Sequence, residues 1–213
     1  MRYDASADGT TIRVLAPAYR TDLLHESDIA EDLAIAWGYD RYPRGLPTRQ
    51  TIGAPLPLNE FTEALRVLMV GHRYQEVMSM TVASANESVA TPERVEIENA
   101  IGEDLTTLRS SLLPSLLNML RLNRHRELPQ CIFEIADVVL DGRNERRLGA
   151  AAIHHKASFT ESKSLVLSLL RDVGVEASAE PVEDANFILG RVAAAIAGGG
   201  EVGRFGEIHP RVL

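Results

Sequence analysis

Between Tyr39 and Pro57 the chain holds Pro43, Pro47, Pro55 and Pro57 together with Gly45 and Gly53, and this spacing forbids a helix or strand of any length across the stretch. Each proline fixes its own φ, removes a backbone donor and biases the residue before it away from the helical region. The stretch therefore reads as a linker between a shorter N-terminal piece and a longer main domain. At 45% hydrophobic residues the chain as a whole has an apolar share able to bury a core.

The shorter piece carries the next constraint. RTDLLHESDIAEDLAIAWGYD, from Arg20 to Asp40, sets six carboxylates against one arginine in a chain of formal net charge −8. A serine ahead of an apolar run predicts a helix beginning near Ser27, with Gly38 as its stop. Asp28, Glu31 and Asp32 then fall at i, i+3 and i+4 on one face, and Asp22 lies in the turn leading in. Like charges at that spacing cost a few tenths of a kcal/mol each. Two compensations are open. The helix dipole favours carboxylates in a first turn by about 0.3–1 kcal/mol. A hard divalent cation such as Mg²⁺ takes oxygen ligands and keeps part of its water. Upstream, Asp8-Gly9 reads as a turn and TIRVLAP, residues 11–17, as a strand; MRYDAS shows no partner for it.

From Leu58 the pattern is helical, with Phe61, Leu65, Leu68 and Met69 on one side, Glu60, Glu63 and Arg66 on the other, and Gly71 at the end. VMSMTVA (77–83) and VEIEN (95–99) read as strands. SSLLPSLLNMLRLNRHR (110–126) reads as a helix with Pro114 in its first turn. CIFEIADVVL (131–140) reads as a central strand, and its Glu134 needs hydrogen bonds or a cation if buried. Residues 141–147 read as a polar turn and 148–154 as a strand. Thr160 caps a helix to Asp172, closed by Gly174. Residues 177–182 and 187–189 read as short strands, and RVAAAIAGGGEVGRFGEIH as a hairpin turning at 198–200. The irregular alternation predicts an α+β fold with a largely antiparallel sheet.

Much chemistry is excluded. No P-loop, dinucleotide fingerprint, nucleophile elbow or His-Glu-x-x-His occurs, and no residue is assigned to catalysis. The one cysteine, Cys131, rules out an internal disulfide and reads as a buried thiol in a reducing cytosol. No run of about 18 apolar residues is present, so a cytoplasmic protein without a membrane partner is expected. Arg121, Arg124, His125 and Arg126 suit either phosphates or the negative end of their own helix. His154 and His155, adjacent on a strand, face opposite ways and cannot share a metal. Trp37 reads as a packing anchor.

Three stretches, RTDLLHESDIAEDLAIAWGYDRYP, NAIGEDLTTLRSSLLPSLLNMLRLNRHRELPQCIFEIADVVL and EVGRFGEIHPRVL, stand in an order and at separations that resemble the beta subunit of phenylalanyl-tRNA synthetase, archaeal or eukaryotic type. The Leu-Arg-x-Ser-Leu-Leu-Pro, Phe-Glu-Ile and Gly-Glu-x-His-Pro elements carry the resemblance, which spans nearly the whole chain. It implies that residues 54–213 form a catalytic-like module of the class II aminoacyl-tRNA synthetase fold, an antiparallel sheet flanked by helices, inactive and truncated at its C-terminal end. It implies that residues 1–53 are the end of a small α/β domain plus linker, with an editing domain upstream. The implied role is to scaffold the alpha subunit of an α2β2 ligase, which binds ATP and attaches phenylalanine to tRNA(Phe). Helix 58–71 and the strand after it resemble motif 1, which would meet that subunit.

The resemblance also implies Mg²⁺, shared with the alpha subunit, on carboxylates at x, x+6, x+9 and x+10: Asp22, Asp28, Glu31 and Asp32. The last is usually glutamate, so Asp32 reaches one methylene less far. The residues agree with an inactive role. A class II site needs an arginine on its motif 2 strand to neutralise the ATP α-phosphate, and residues 131–140 contain neither arginine nor lysine. Two other readings stay open: a metal-dependent hydrolase or phosphoryl-transfer centre on the same carboxylates, which needs further ligands and a water-activating group, and a stand-alone tRNA-binding module on the arginines near 124.

Overall fold

The computed structural model describes residues 2–46, 51–85 and 89–213, so Pro47 lies outside the described residues. The chain divides into two compact units, Met1–Gly53 and Ala54–Leu213.

In the first unit β1 (Asp4–Asp8) and β2 (Thr11–Leu15) form an antiparallel hairpin, registered from Asp4↔Leu15 to Asp8↔Thr11. The strand at 11–15 thus finds its partner in DASAD, whose small and acidic residues carry no strand signal of their own. α1 (Glu26–Trp37) follows, then one 3-10 turn at Tyr39–Arg41. His25, not Ser27, caps α1: its Nδ1 accepts from the Ser27 amide at 3.2 Å, while Asp28 Oδ2 accepts from the amides of Leu24 and His25 at 2.7 and 2.8 Å. Histidine lies outside the usual capping set, which is why the pattern points two residues downstream. Trp37 is no core anchor; it is 52% exposed and meets Tyr42 edge to face at 4.8 Å between ring centres.

In the second unit α2 (Pro57–Gly71) turns Leu65, Leu68 and Met69 onto Phe133, Ile135 and Leu169. The expected strand at 77–83 is broken. Only its end is strand, as β4 (Val82–Ala83), antiparallel to β5 (Thr107–Leu108); just ahead of it, β3 (Gln75–Glu76) runs parallel to β6 (Gln130–Leu140). The break has a cause at Ser79, which gives its amide and hydroxyl to the Glu134 carboxylate instead of to a neighbouring strand. Expected strand 95–99 reduces to one bridge, Glu96↔Thr107.

β6 pairs with β7 (Arg143–Ile153) in unbroken register from Gln130↔Ile153 to Leu140↔Arg143. The turn between them is Asp141-Gly142 alone, at φ 49° and 71°. Two positive φ values make the tight hairpin turn whose twist matches the strands. Residues 143–147 are therefore strand and not turn; their run of charged and polar side chains hid this from the pattern. α3 (Leu113–Leu122) lies on β7 at Gly149, where a Cβ would stand 2.9 Å from that of Leu112. Along β6, Phe133 and Ile135 face the α2 cluster, and Ile132 and Val138 face Leu112 and Leu116.

α4 (Phe159–Asp172), capped by Ser158, packs Val166 and Leu170 against Ala193, Ala195 and Phe205. These belong to a sheet ordered β10 (Gly200–Ile208), β9 (Phe187–Ala197), β8 (Ser178–Pro181), antiparallel throughout. Expected strand 187–189 is the start of the long β9. Among the described residues the architecture is α+β, with small separate sheets in place of one large one, and every pairing except β3–β6 is antiparallel.

Candidate functional site

The acidic segment is built around Arg20. Its Nε donates to Asp22 Oδ1 at 2.9 Å and its Nη2 to Asp22 Oδ2 at 2.8 Å, while Nη1 lies 2.8 Å from Asp32 Oδ2. Tyr3, just ahead of β1, donates its hydroxyl to the same Asp32 oxygen, and its ring centre lies 5.7 Å from Arg20 Cζ. Asp28 is committed to the cap of α1, and Glu31 lies exposed on the helix. The structure thus brings Asp22 and Asp32 together through a guanidinium and leaves Asp28 and Glu31 in other roles. Among the described residues no three His, Cys, Asp or Glu side chains form a group able to hold a metal ion. As they stand, the four carboxylates do not fit a cation held by this chain alone.

Their ionisation follows from these contacts. Arg20 holds Asp22 below the usual carboxylate range, the His25 and Leu24 amides do the same for Asp28, and the Tyr3 hydroxyl followed by Arg20 does so for Asp32. A depressed carboxylate stabilises the fold above its unfolded pKa, and the contribution is lost as pH falls through the folded value. The melting midpoint of the first unit should fall as the pH drops below about 4. Trp37, the one tryptophan of the chain, reports on this unit by fluorescence; an unchanged midpoint at pH 3 would count against the assignment.

A second polar cluster sits at the centre of the larger unit. Glu134, expected to need partners if buried, is 2% exposed beside Arg109, which is 4% exposed, with Arg109 Nη1 at 2.8 Å from Glu134 Oε1. Ser79 adds its amide at 3.2 Å to Oε1 and its hydroxyl at 2.6 Å to Oε2. Arg109 Nε donates to the Asp137 carbonyl at 3.0 Å, Nη1 also reaches Ser79 Oγ at 2.8 Å, and the Val139 amide donates to the Arg109 carbonyl at 2.9 Å. A guanidinium therefore does lie along β6, contributed by the Leu-Arg-x-Ser-Leu-Leu-Pro element. Sequence reading passed over it, although the demand at Glu134 was its signal. Only 4% exposed, with Nε and Nη1 directed at Glu134, Ser79 and the backbone, it is not placed to meet a nucleotide phosphate. On β7, Arg146 is 2.5 Å from Asp137 and Arg147 pairs with Glu145.

The remaining sequence candidates take modest places. Arg121 donates to Asn118 Oδ1 at 2.7 Å and, with Leu122, Arg124 and His125, lines a shallow hollow at the end of α3. His154 pairs with Glu161 at 2.9 Å, in the first turn of α4. Cys131 is half-buried, and burial followed by the charge of Glu161 pushes its thiol up, so it stays protonated.

A family model for the phenylalanyl tRNA synthetase beta chain CLM domain matches residues 43–213, and one for the tRNA synthetase B5 domain matches residues 1–39. The chain belongs to the phenylalanyl-tRNA synthetase beta chain family. All of it aligns with the phenylalanine–tRNA ligase beta subunits of Methanothrix thermoacetophila at 40% identity and Methanococcoides burtonii at 37%, covering 41% of each. That of Archaeoglobus fulgidus is 34% identical over the whole chain and is covered for 40% of its length. The chain thus spans about two fifths of the curated relatives it matches. Among solved structures, a pyrrolysyl tRNA synthetase of Desulfitobacterium hafniense superposes with a TM-score of 0.53 at 16% identity, over 82% of this chain and 62% of that one. At that identity the likeness speaks to the fold. Among the described residues no helix is long and apolar enough to cross a membrane.

Proposed function

We propose that this chain is a non-catalytic part of a phenylalanine–tRNA ligase beta subunit that scaffolds the catalytic alpha subunit in an α2β2 enzyme of the cytoplasm. In this reading residues 54–213 form the class II catalytic-like module and residues 1–53 the end of the domain before it. The observation that carries the scaffold is the uncovered apolar surface of α2 and the segment after β3. Leu58, Phe61, Val67, Val70, Met78 and Met80 are between 48% and 89% exposed, and side chains of this kind, left outside, belong under a partner. The committed donors of Arg109 support the absence of chemistry. ATP and phenylalanine are then handled by the alpha subunit, and tRNA by the assembled enzyme, with Arg121, Arg124 and Arg126 available to its phosphates.

Mg²⁺ shared across the subunit boundary would draw on Asp22, Asp28, Glu31 and Asp32. Because these four do not close around a cation by themselves, the reading requires ligands from the alpha subunit. A hydrolase centre on the same residues has no support in the donor set, since no second group of ligands accompanies them among the described residues.

Co-expression with an alpha subunit tests the reading. The two chains should co-purify, the chain alone should give no ATP–pyrophosphate exchange with phenylalanine, and Met78→Glu with Met80→Glu should weaken co-purification about tenfold or more by burying unpaired charge. Exchange activity without the alpha subunit, or a complex indifferent to the two glutamates, would sink it.

A further inference from the structure

We infer that Arg20 is the resident counter-ion of the acidic segment, and that a divalent cation reaches Asp22 and Asp32 only by displacing it. The argument concerns this chain alone and stands whether or not a partner adds ligands.

The guanidinium is placed as a bridge. One edge, Nε and Nη2, faces the Asp22 carboxylate, and the remaining nitrogen, Nη1, takes Asp32 Oδ2 at 2.8 Å. A planar fork suits this double contact, and arginine does not lose its proton in a protein. The contact is also braced. The Tyr3 ring lies 5.7 Å from Arg20 Cζ, within the range of a cation–π contact, and the Tyr3 hydroxyl lands on the Asp32 oxygen that Nη1 holds.

Three consequences oppose a dication. Oδ2 of Asp32 already accepts two donors. Both oxygens of Asp22 accept from Arg20. The two carboxylates with Arg20 sum to one negative charge and not two, which weakens the attraction for a hard cation that must shed water to bind. Asp28 adds little, since its Oδ2 already accepts the amides of Leu24 and His25 at the start of α1. The charge of Asp22 and Asp32 is therefore halved from within, by a side chain two residues upstream of the first aspartate.

The test is a Mn²⁺ titration of the 213-residue chain followed by the electron paramagnetic resonance of the free ion, with Mn²⁺ as a stand-in for hard divalent cations. Wild type should leave the signal undiminished up to about 1 mM, and Arg20→Gln should gain a site at least about tenfold tighter. Adding Asp22→Asn to Arg20→Gln should remove that site, and Tyr3→Phe, which leaves the arginine in place, should gain none. Far-ultraviolet circular dichroism and Trp37 fluorescence establish that each variant is folded. Where Arg20→Gln does not hold α1, Arg20→Lys takes its place; it keeps the charge without the fork and should bind Mn²⁺ more tightly than wild type. Equal binding by wild type and the folded Arg20 variant, or none by either, overturns the inference.

Discussion

Arg109→Ala should lower the unfolding free energy of the larger unit by about 3–5 kcal/mol, because it leaves a carboxylate buried without its cation. Glu134 is 2% exposed, so water cannot replace the lost Nη1 donor, and Ser79 alone must carry the charge. The Asp137 carbonyl loses its Nε donor in the same step. The size of the effect belongs to the broken pair and not to the pair's net worth. Arg109→Met combined with Glu134→Leu, which removes both charges, should recover most of the loss, since apolar replacements of buried pairs are often neutral. Urea unfolding followed by circular dichroism measures all three chains. A loss below about 1 kcal/mol for Arg109→Ala would mean that the site takes up water.

Phe133→Ala is the second large effect, about 3–5 kcal/mol by the same measurement. The side chain is fully buried and fills the space where α2 and α4 meet β6, against Met69, Ile135 and Leu169. A hole there has walls from two helices and a strand, and none of them can close it without leaving the others. Phe133→Leu keeps most of the volume and should cost less than half as much. Equal losses for the two variants would show that the aromatic ring's shape, and not its volume, is what the core requires.

How far the sequence discloses this molecule depends on where the deciding contacts lie. α2, α3 and α4 are legible because their apolar residues repeat at helical spacing, and the larger part of β6 because its apolar run is long. DASAD is illegible as β1, since nothing in those five residues prefers a strand until Thr11–Leu15 folds back on them. Residues 143–147 look like a turn because charge hides their alternation. The break in 77–83 is set by Glu134, 55 residues away from Ser79 in the chain. The same limit governs the polar sites. The pattern assigns Asp28, Glu31 and Asp32 to one helix face, but a guanidinium from the preceding turn lies outside any periodicity. The pattern also states that Glu134, if buried, needs hydrogen bonds or a cation. It cannot say which of the 22 lysines and arginines supplies it.

The two long hairpins bear on the order in which the chain can assemble as it is made. β6–β7 and β9–β10 each close through two residues, Asp141-Gly142 and Gly198-Gly199, so little entropy is lost in bringing their strands together and each can zip as soon as its second strand exists. β3 meets β6 only at Gln75↔Ile132 and Glu76↔Phe133, across a loop that contains β4, β5 and α3. Ser79 and Arg109 therefore leave the ribosome well before Glu134 does. During synthesis the two donors stay hydrated until the acid that will bury them arrives, and the polar heart of the module is sealed by its latest-made member.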